Sequence, residues 1–292
     1  MRFRSEKQKV VAAAFAALVL LSAASSIRSQ PDTVPRPFRR VVSMNLCVDE
    51  IVLRLGDRRK IASVTWQALN PESSNVSELA SGIPVNYGLA EEIIPLNPDL
   101  VIAGIYTTRD TVAALKRIGV PTMDVDVPRS FADVRAQFIE LSRVLDEKEK
   151  GDRIVADMDD RLTQISARVS AARPRAFVLY PNGYTAAKGT IVDEIVTRAG
   201  FVNAATSLRV HEYEQMPLET IIANPVDMLI MSSSRDWPPA LATELLRHPV
   251  LARIAARTRI VVMPYRLWSC GGPQLVDAVE RLVQERAAIL RK

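Results

Sequence analysis

The sequence has few of the residues that most enzyme and metal sites use. Its 292 residues include two histidines, two cysteines and only 5% aromatic residues. The signatures G-x-S-x-G, G-x-G-x-x-G, H-E-x-x-H, C-x-x-C and the P-loop do not occur. Two histidines are too few for a histidine-rich metal site. We therefore predict a protein that is not an enzyme and that has no cofactor and no bare metal site.

The first thirty residues have the three parts of a secretory signal. A basic start (Arg2–Lys9) precedes an apolar run from Val10 to about Ala24, and a small polar stretch follows. The run is shorter than the roughly 20 residues that a helix needs to cross a bilayer, so a retained membrane anchor is the less favoured alternative. We predict that residues 1–30 are a cleaved signal peptide and that the mature protein is periplasmic.

The excess of basic residues lies mostly in this segment. The full chain carries a net charge of +5, and residues 1–30 hold five of its 38 basic residues and one of its 33 acidic residues. Removing the segment leaves a net charge of about +1. A nucleic-acid-binding protein needs basic residues clustered on one face. We predict a monomer that binds no nucleic acid.

Short β-branched runs alternate with amphipathic helical stretches from Arg40 onward, which indicates an α/β fold with mainly parallel sheets. Residues 150–172 keep a helical period without interruption, which predicts one helix of about 33 Å. The alternation then resumes, so we predict two Rossmann-like lobes joined by one long rigid helix. A single domain with a long surface helix is the alternative. The predicted segments are an N-terminal lobe at 38–149, an interlobe helix at 150–172 and a C-terminal lobe at 173–292, with strands at Val41–Met44, Ile61–Val64, Asp99–Ala103, Thr122–Val127, Ala176–Tyr180, Met228–Met231 and Ile260–Met263.

A local pattern occurs once in each half of the chain. Glu91 lies eight positions before Asp99, and Glu219 lies eight positions before Asp227. In both cases the glutamate begins a short helix that an Asn-Pro pair ends, and the aspartate opens a buried strand. An acidic residue in a first turn also complements the helix dipole, so a purely local role is the alternative.

The chain resembles the class III periplasmic binding proteins, the iron-siderophore and cobalamin-binding family of ABC importers. The resemblance covers about residues 38 to 291 and depends on the order of several pieces. It implies two α/β lobes joined by a rigid helix, a ligand between the lobes, and an acidic residue on each lobe that docks on arginines of the permease. Glu91 and Glu219 match those acidic positions. The pieces are Arg40-Val-Val-Ser-Met44, Leu96-Asn-Pro-Asp-Leu-Val-Ile102, Gly119-Val-Pro121, the long central helix and Leu218-Glu-Thr-Ile-Ile-Ala-Asn-Pro225.

Aromatic and arginine side chains cluster in the loops that follow the predicted strands. Ligands of open α/β sheets bind at the carboxyl ends of strands. Large rings with a polar tip suit a bulky, partly polar ligand, and arginines suit carboxylates or an anionic chelate. Ordinary packing and solvated surface arginines are the alternatives. The candidate ligand-binding residues are Asn45, Cys47, Trp66, Tyr106, Arg129, Tyr180, Tyr184, Trp237, Tyr265, Arg266, Trp268 and Cys270, and Arg235 also follows a strand.

The two cysteines allow several interpretations. Cys47 begins the first predicted helix and Cys270 precedes the last, so both face the cleft from opposite lobes. Export favours a disulfide, which we expect to cross the cleft mouth and hinder ligand exchange. A helix N-terminus favours a thiolate, so ligand-contacting or redox-active thiols are equally consistent with the sequence.

We predict the solute-binding component of an ABC importer for a bulky metal chelate, either a ferric siderophore, a cobalamin or haem. Its partners would be the permease subunits and the small-molecule chelate. One alternative is a secreted enzyme with Cys270 or Cys47 as nucleophile and His211 as base. The other is an envelope sensor of the same fold. We expect His248, before Pro249, to be structural.

Overall fold

Five parallel strands form the first sheet of the computed structural model, which describes residues 37–107, 109–233, 243, 246 and 248–291. The strand order is β3-β2-β1-β4-β5. The predicted signal peptide and the candidates Arg235 and Trp237 lie outside the described residues. The strands are β1 Val41–Ser43, β2 Ile61–Thr65, β3 Val85–Asn86, β4 Leu100–Gly104 and β5 Thr122–Val125.

Four parallel strands form a second sheet in the order β11-β10-β6-β8, and an antiparallel pair, β7 and β9, lies beside it. The α/β fold class with mainly parallel sheets is therefore confirmed. Within the described ranges no helix is both long and apolar enough to span a membrane. These strands are β6 Arg175–Leu179, β7 Tyr184–Ala186, β8 Val202–Asn203, β9 Tyr213–Gln215, β10 Met228–Ser233 and β11 Arg259–Pro264.

Helices cover both faces of each sheet, because the strands are apolar on both sides as buried parallel strands must be. In β1, Val41 belongs to the core between the sheets, whereas Val42 belongs to a separate cluster on the outer face. The inner core runs continuously from the first sheet to the second. The helices are α1 Leu46–Leu55, α2 Ser77–Ala80, α3 Ala90–Ile93, α4 Arg109–Arg117, α5 Phe131–Val144, α6 Lys148–Ala167, α7 Ile191–Arg198, α8 Ala204–Ser207, α9 Leu218–Ala223, α10 Pro249–Ile254 and α11 Gln274–Leu290.

The chain passes from the first sheet to the second through α5 and α6. The two helices pack closely at Gly151, where an added Cβ would lie 2.4 Å from the Cβ of Ser142. The predicted helix at 150–172 is observed as α6 and ends five residues early, at Ala167. Arg286, which is 3% exposed, donates hydrogen bonds to the carbonyls of Ser170 and Ala172. These hydrogen bonds fix the irregular connection that follows α6 in place of a further helical turn.

Candidate ligand-binding cleft

The carboxyl ends of strands from both sheets meet around one cavity of about 140 Å³. The first sheet contributes the loops after β1, β4 and β5, and the second contributes the loop after β11 together with β9 and the start of α7. This is where ligands of open α/β sheets bind. The candidate residues that line the cavity are Asn45, Cys47, Tyr106, Trp268 and Cys270.

Asn45 lines the first-lobe side of the cavity and caps the helix that follows. It is the N-cap of α1, and its side-chain oxygen accepts a hydrogen bond of 2.9 Å from the backbone N–H of Cys47. Capping satisfies one of the free N–H groups of the helix start and fixes the first turn. The cap thereby holds Cys47 at the cavity wall.

Cys47 and Cys270 form a disulfide, with an S–S distance of 2.07 Å and a Cα–Cα distance of 4.9 Å. Among the described residues no cysteine is free, so the thiol-ligand and cysteine-nucleophile interpretations are wrong for this structure. The expected position at the cleft mouth is also wrong. Cys270 is buried and Cys47 is half-buried, and the core residues Val48 and Ile51 line the cavity beside them, so the bridge lies at the inner, core-facing end of the cavity.

A tyrosine-rich wall forms the second-lobe side. The Tyr180 ring lies 5.7 Å from Trp268 and 6.3 Å from Tyr213, and an adjoining cavity of about 330 Å³ opens along this wall. Burial raises the pKa values of Tyr180, Tyr213 and Tyr265. The phenols therefore stay protonated at neutral pH and can donate hydrogen bonds. Tyr184 also lines the adjoining cavity.

Trp268 packs against the Tyr180 ring of the tyrosine-rich wall. It is 3% exposed, and its indole N–H donates a 3.1 Å hydrogen bond to the hydroxyl of Ser232 on β10. Buried tryptophans generally need such a partner. Trp268 belongs to the core between the sheets and also lines the cavity. Trp268 therefore positions Tyr180 in addition to lining the site.

The aromatic residues of the first lobe lie nearer the surface. Tyr106 is 75% exposed at the rim of the cavity. Trp66 is 47% exposed and stacks on Tyr87, with ring centroids 6.2 Å apart, without lining the cavity. Tyr87 was not among the candidates, although it follows directly after β3, a strand too short to leave a pattern in the sequence.

The two candidate arginines pair with the opposite lobe. Arg266 donates to the Asn75 side chain at 2.8 Å, and Asn75 donates back to the Arg266 carbonyl at 2.7 Å. Arg129 forms an ion pair with Glu212, at the opposite edge of the sheets. Neither arginine lines the 140 Å³ cavity, and an anionic ligand group would have to replace these partners.

A buried carboxyl group supports the end of β2. Asp49 on α1 is 0% exposed and accepts hydrogen bonds of 3.2 Å from the backbone N–H and 2.5 Å from the hydroxyl of Thr65. Burial raises the pKa of Asp49 from 3.8 to about 7, although these hydrogen bonds oppose the shift. Asp49 thus fixes the residue before Trp66.

The repeated Glu and Asp residues occupy matching places in the two sheets. Asp99 accepts from the backbone N–H of Arg40 at 2.8 Å, and Asp227 accepts from that of Arg175 at 2.7 Å. The residues that follow them pair identically, Leu100 with Val41 and Met228 with Ala176. Glu91 on α3 and Glu219 on α9 are exposed and precede these aspartates by the same interval. The two glutamates therefore precede equivalent aspartates and lie on short helices at matching points of the two lobes.

The histidines stay apart from the cavities. The Nδ1 atom of His248 accepts from the backbone N–H of Val250 at 3.3 Å and caps α10, which confirms its structural role. His211 is exposed next to Glu212. In the described part of the chain no group of three or more His, Cys, Asp or Glu side chains is arranged to hold a metal ion.

Comparisons with known proteins place these features in a family. The family described as "Periplasmic binding protein" matches residues 41–264. Cobalamin-binding proteins of two Halobacterium salinarum strains are each 26% identical over 251 residues, which cover 83% of this chain and 68% of theirs.

Solved structures of periplasmic binding proteins are also similar to this chain. The periplasmic heme-binding protein RhuT of Roseiflexus sp. RS-1 is 25% identical with a TM-score of 0.68, covering 86% of this chain and 97% of its own. The vitamin B12 binding protein BtuF of Vibrio cholerae is 20% identical with a TM-score of 0.67, covering 88% and 99%. At 20% identity the second likeness concerns the fold alone.

Proposed function

The chain belongs to the periplasmic binding protein family, and from this premise we propose that it is exported and delivers a bulky metal chelate to an ABC permease. The chelate would be a cobalamin, a haem or a ferric siderophore, held between the two lobes. The observation that supports this proposal most is the cavity that both lobes line, with the tyrosine-rich wall on one side. The cobalamin-binding relatives make cyanocobalamin the first ligand to test.

A ligand of this size needs more room than the 140 Å³ cavity provides. The adjoining cavity of about 330 Å³ shares Tyr213, Trp268 and Ser269 with it, so one ligand can occupy both. Ligand sites typically have volumes of about 300 to 1,000 Å³ and combine apolar walls with a few polar groups. Tyr213 lies where the two cavities join and would be the central contact.

Binding is tested by titrating cyanocobalamin, haemin and ferrioxamine B separately into the purified mature protein. Isothermal titration calorimetry, tryptophan fluorescence and the melting temperature are the three measurements. We expect saturable binding of at least one of the three with one site per monomer. If none of the three changes heat, fluorescence or melting temperature, the proposed ligand class is wrong.

Tyr213→Ala is expected to weaken the binding of the chelate about tenfold, because truncation of a central aromatic contact typically costs 1 to 2 kcal/mol or more. Tyr213→Phe keeps the ring and should retain most of the affinity. Ile118→Ala is the matched control, since Ile118 is exposed and lines neither cavity. Equal affinities for Tyr213→Ala and the control would remove Tyr213 from the site.

Glu91→Arg and Glu219→Arg are each expected to reduce permease-dependent uptake about tenfold while ligand affinity stays unchanged. Reversing a rim charge changes the docking of a partner more than it changes the distant cleft. Uptake is measured in cells that express the cognate permease, and ligand affinity is measured on the purified variants. The exposed Glu78→Arg variant is the control for charge alone. Uptake that persists in the Glu91→Arg, Glu219→Arg double variant would exclude this docking role.

A further inference from the structure

The Cys47–Cys270 bridge connects the two lobes a second time. Cys47 belongs to α1, which follows β1 of the first sheet, and Cys270 lies between β11 of the second sheet and α11. The backbone joins the two sheets once, through α5 and α6 between β5 and β6. The lobes are thus tied both by this connection and by the bridge at the inner end of the cavity.

The backbone near the bridge is also tightly packed. An added Cβ at Gly271 would lie 2.7 Å from Cγ of Pro128, a first-lobe residue. The Cys47 sulfur lies 3.7 Å from the carbonyl oxygen of Ser269. The floor of the cleft therefore brings the two lobes into direct van der Waals contact, with no room for an additional side chain.

The other cleft-side contacts described above are polar and nearer the surface. The Arg129–Glu212 ion pair leaves 64% and 48% of its two side chains exposed, and such pairs contribute little. The Asn75–Arg266 pair lies at the opposite edge, after β2 and β11. The backbone N–H of Phe131 also donates a 2.8 Å hydrogen bond to Glu194 on α7, and apolar residues of α5, α6, α7 and α11 belong to the continuous inner core. Without the bridge, only non-covalent contacts of these kinds would hold the lobes together at the cleft.

We propose that the Cys47–Cys270 bridge fixes the separation of the lobes at the floor of the cleft. Ligand then enters and leaves at the rim, where the Arg129–Glu212 and Asn75–Arg266 pairs can open, while the floor stays closed. The cysteines act as positioning residues, because they hold the Asn45 side of the site against the tyrosine-rich wall. The statement about ligand exchange rests on the proposed function, whereas the statement about lobe separation does not.

Energy transfer between two fluorophores tests the lobe separation without ligand. Noncanonical residues at positions 91 and 219, on equivalent helices of the two lobes, carry the fluorophores, so that no new cysteine is added. The oxidised protein is expected to give one narrow distribution of transfer efficiency. The Cys47→Ser, Cys270→Ser variant should give a broader distribution with a lower mean.

Reduction of the oxidised protein provides a second route that starts from folded molecules. Dithiothreitol transfers two electrons and two protons to the bridge, which becomes two thiols while the reagent becomes a cyclic disulfide. The reduced protein should reproduce the broad distribution, and the same reagent should leave the double serine variant unchanged. Circular dichroism confirms that the molecules compared are folded. Identical distributions in the oxidised and reduced protein would overturn the proposal.

Ligand exchange is then followed with cyanocobalamin by stopped-flow fluorescence. We expect dissociation about tenfold faster in the double serine variant than in the oxidised protein. Equal rates would refute the positioning role for this ligand. Absence of any cyanocobalamin binding would speak against that ligand only, because the energy-transfer comparison does not use it.

Discussion

Replacing Cys47 and Cys270 together by serine is expected to lower the free energy of unfolding by about 4 kcal/mol. The bridge joins residues 223 positions apart. A cross-link of that span removes many conformations from the unfolded chain, and the chain-entropy model gives about 5 kcal/mol for so long a loop. Measured values often fall below the model. Denaturation in guanidinium chloride, followed by circular dichroism, measures the difference.

Ser269→Ala is the matched control for this change. Its hydroxyl oxygen is buried and makes no hydrogen bond within the described residues, so its removal breaks no bond to them. We expect a change within about 1 kcal/mol for this control. If the double serine variant is destabilised no more than the control, the bridge does not restrict the unfolded chain as described.

The free energy of unfolding is expected to fall between about pH 4 and pH 7 because of Asp49. The pKa of Asp49 is about 7 in the folded protein, and the ordinary value of 3.8 applies to the unfolded chain. The folded protein therefore holds this proton over a pH range in which the unfolded chain has lost it. Stability is fully present below the lower pKa and is lost as the pH rises through the higher one. A shift of about three units corresponds to a loss on the order of 4 kcal/mol.

Asp49→Asn is expected to remove this part of the pH dependence. Asparagine has nearly the same shape, and its oxygen can still accept hydrogen bonds from Thr65. The variant should be similar to the natural protein near pH 4 and more stable near pH 8. Chemical denaturation at each pH gives the difference between the two proteins. Asp193→Asn, a change in the first turn of α7, is the control. If the free energy of unfolding of Asp49→Asn differs from that of the natural protein by the same amount across this pH range, the prediction is wrong.

The alternation of strands and helices was enough to predict the class of the fold. The predicted strands at Val41–Met44, Ile61–Val64 and Met228–Met231 agree with β1, β2 and β10 to within two residues. The strands β3, β7, β8 and β9, of two or three residues each, were missed, because they lack a run of β-branched apolar residues such as the one that marks β1. The end of α6 was misplaced because its cause, Arg286, lies more than a hundred residues away in the chain.

The site was predictable in part. The rule that ligands bind at the carboxyl ends of strands selected Tyr106, Tyr180 and Tyr265, which line the two cavities. It could not show that Arg129 and Arg266 have partners in the opposite lobe, since those contacts depend on tertiary structure. Nor could it separate the buried Trp268 from the exposed Trp66. Both follow strands, and the burial of Trp268 in the core, where its indole N–H donates to Ser232, depends on tertiary structure.

The bridge also closes most of the chain into a covalent ring. Residues 47 to 270 are closed through the two sulfurs, and this ring contains the connecting helices and most of both lobes, whereas β1 and α11 lie outside it. A single cut by a protease at any peptide bond inside the ring leaves both pieces in one molecule. Only a second cut inside the ring, or reduction of the bridge, removes that covalent connection. The halves of the cleft can therefore survive one nick as a linked pair.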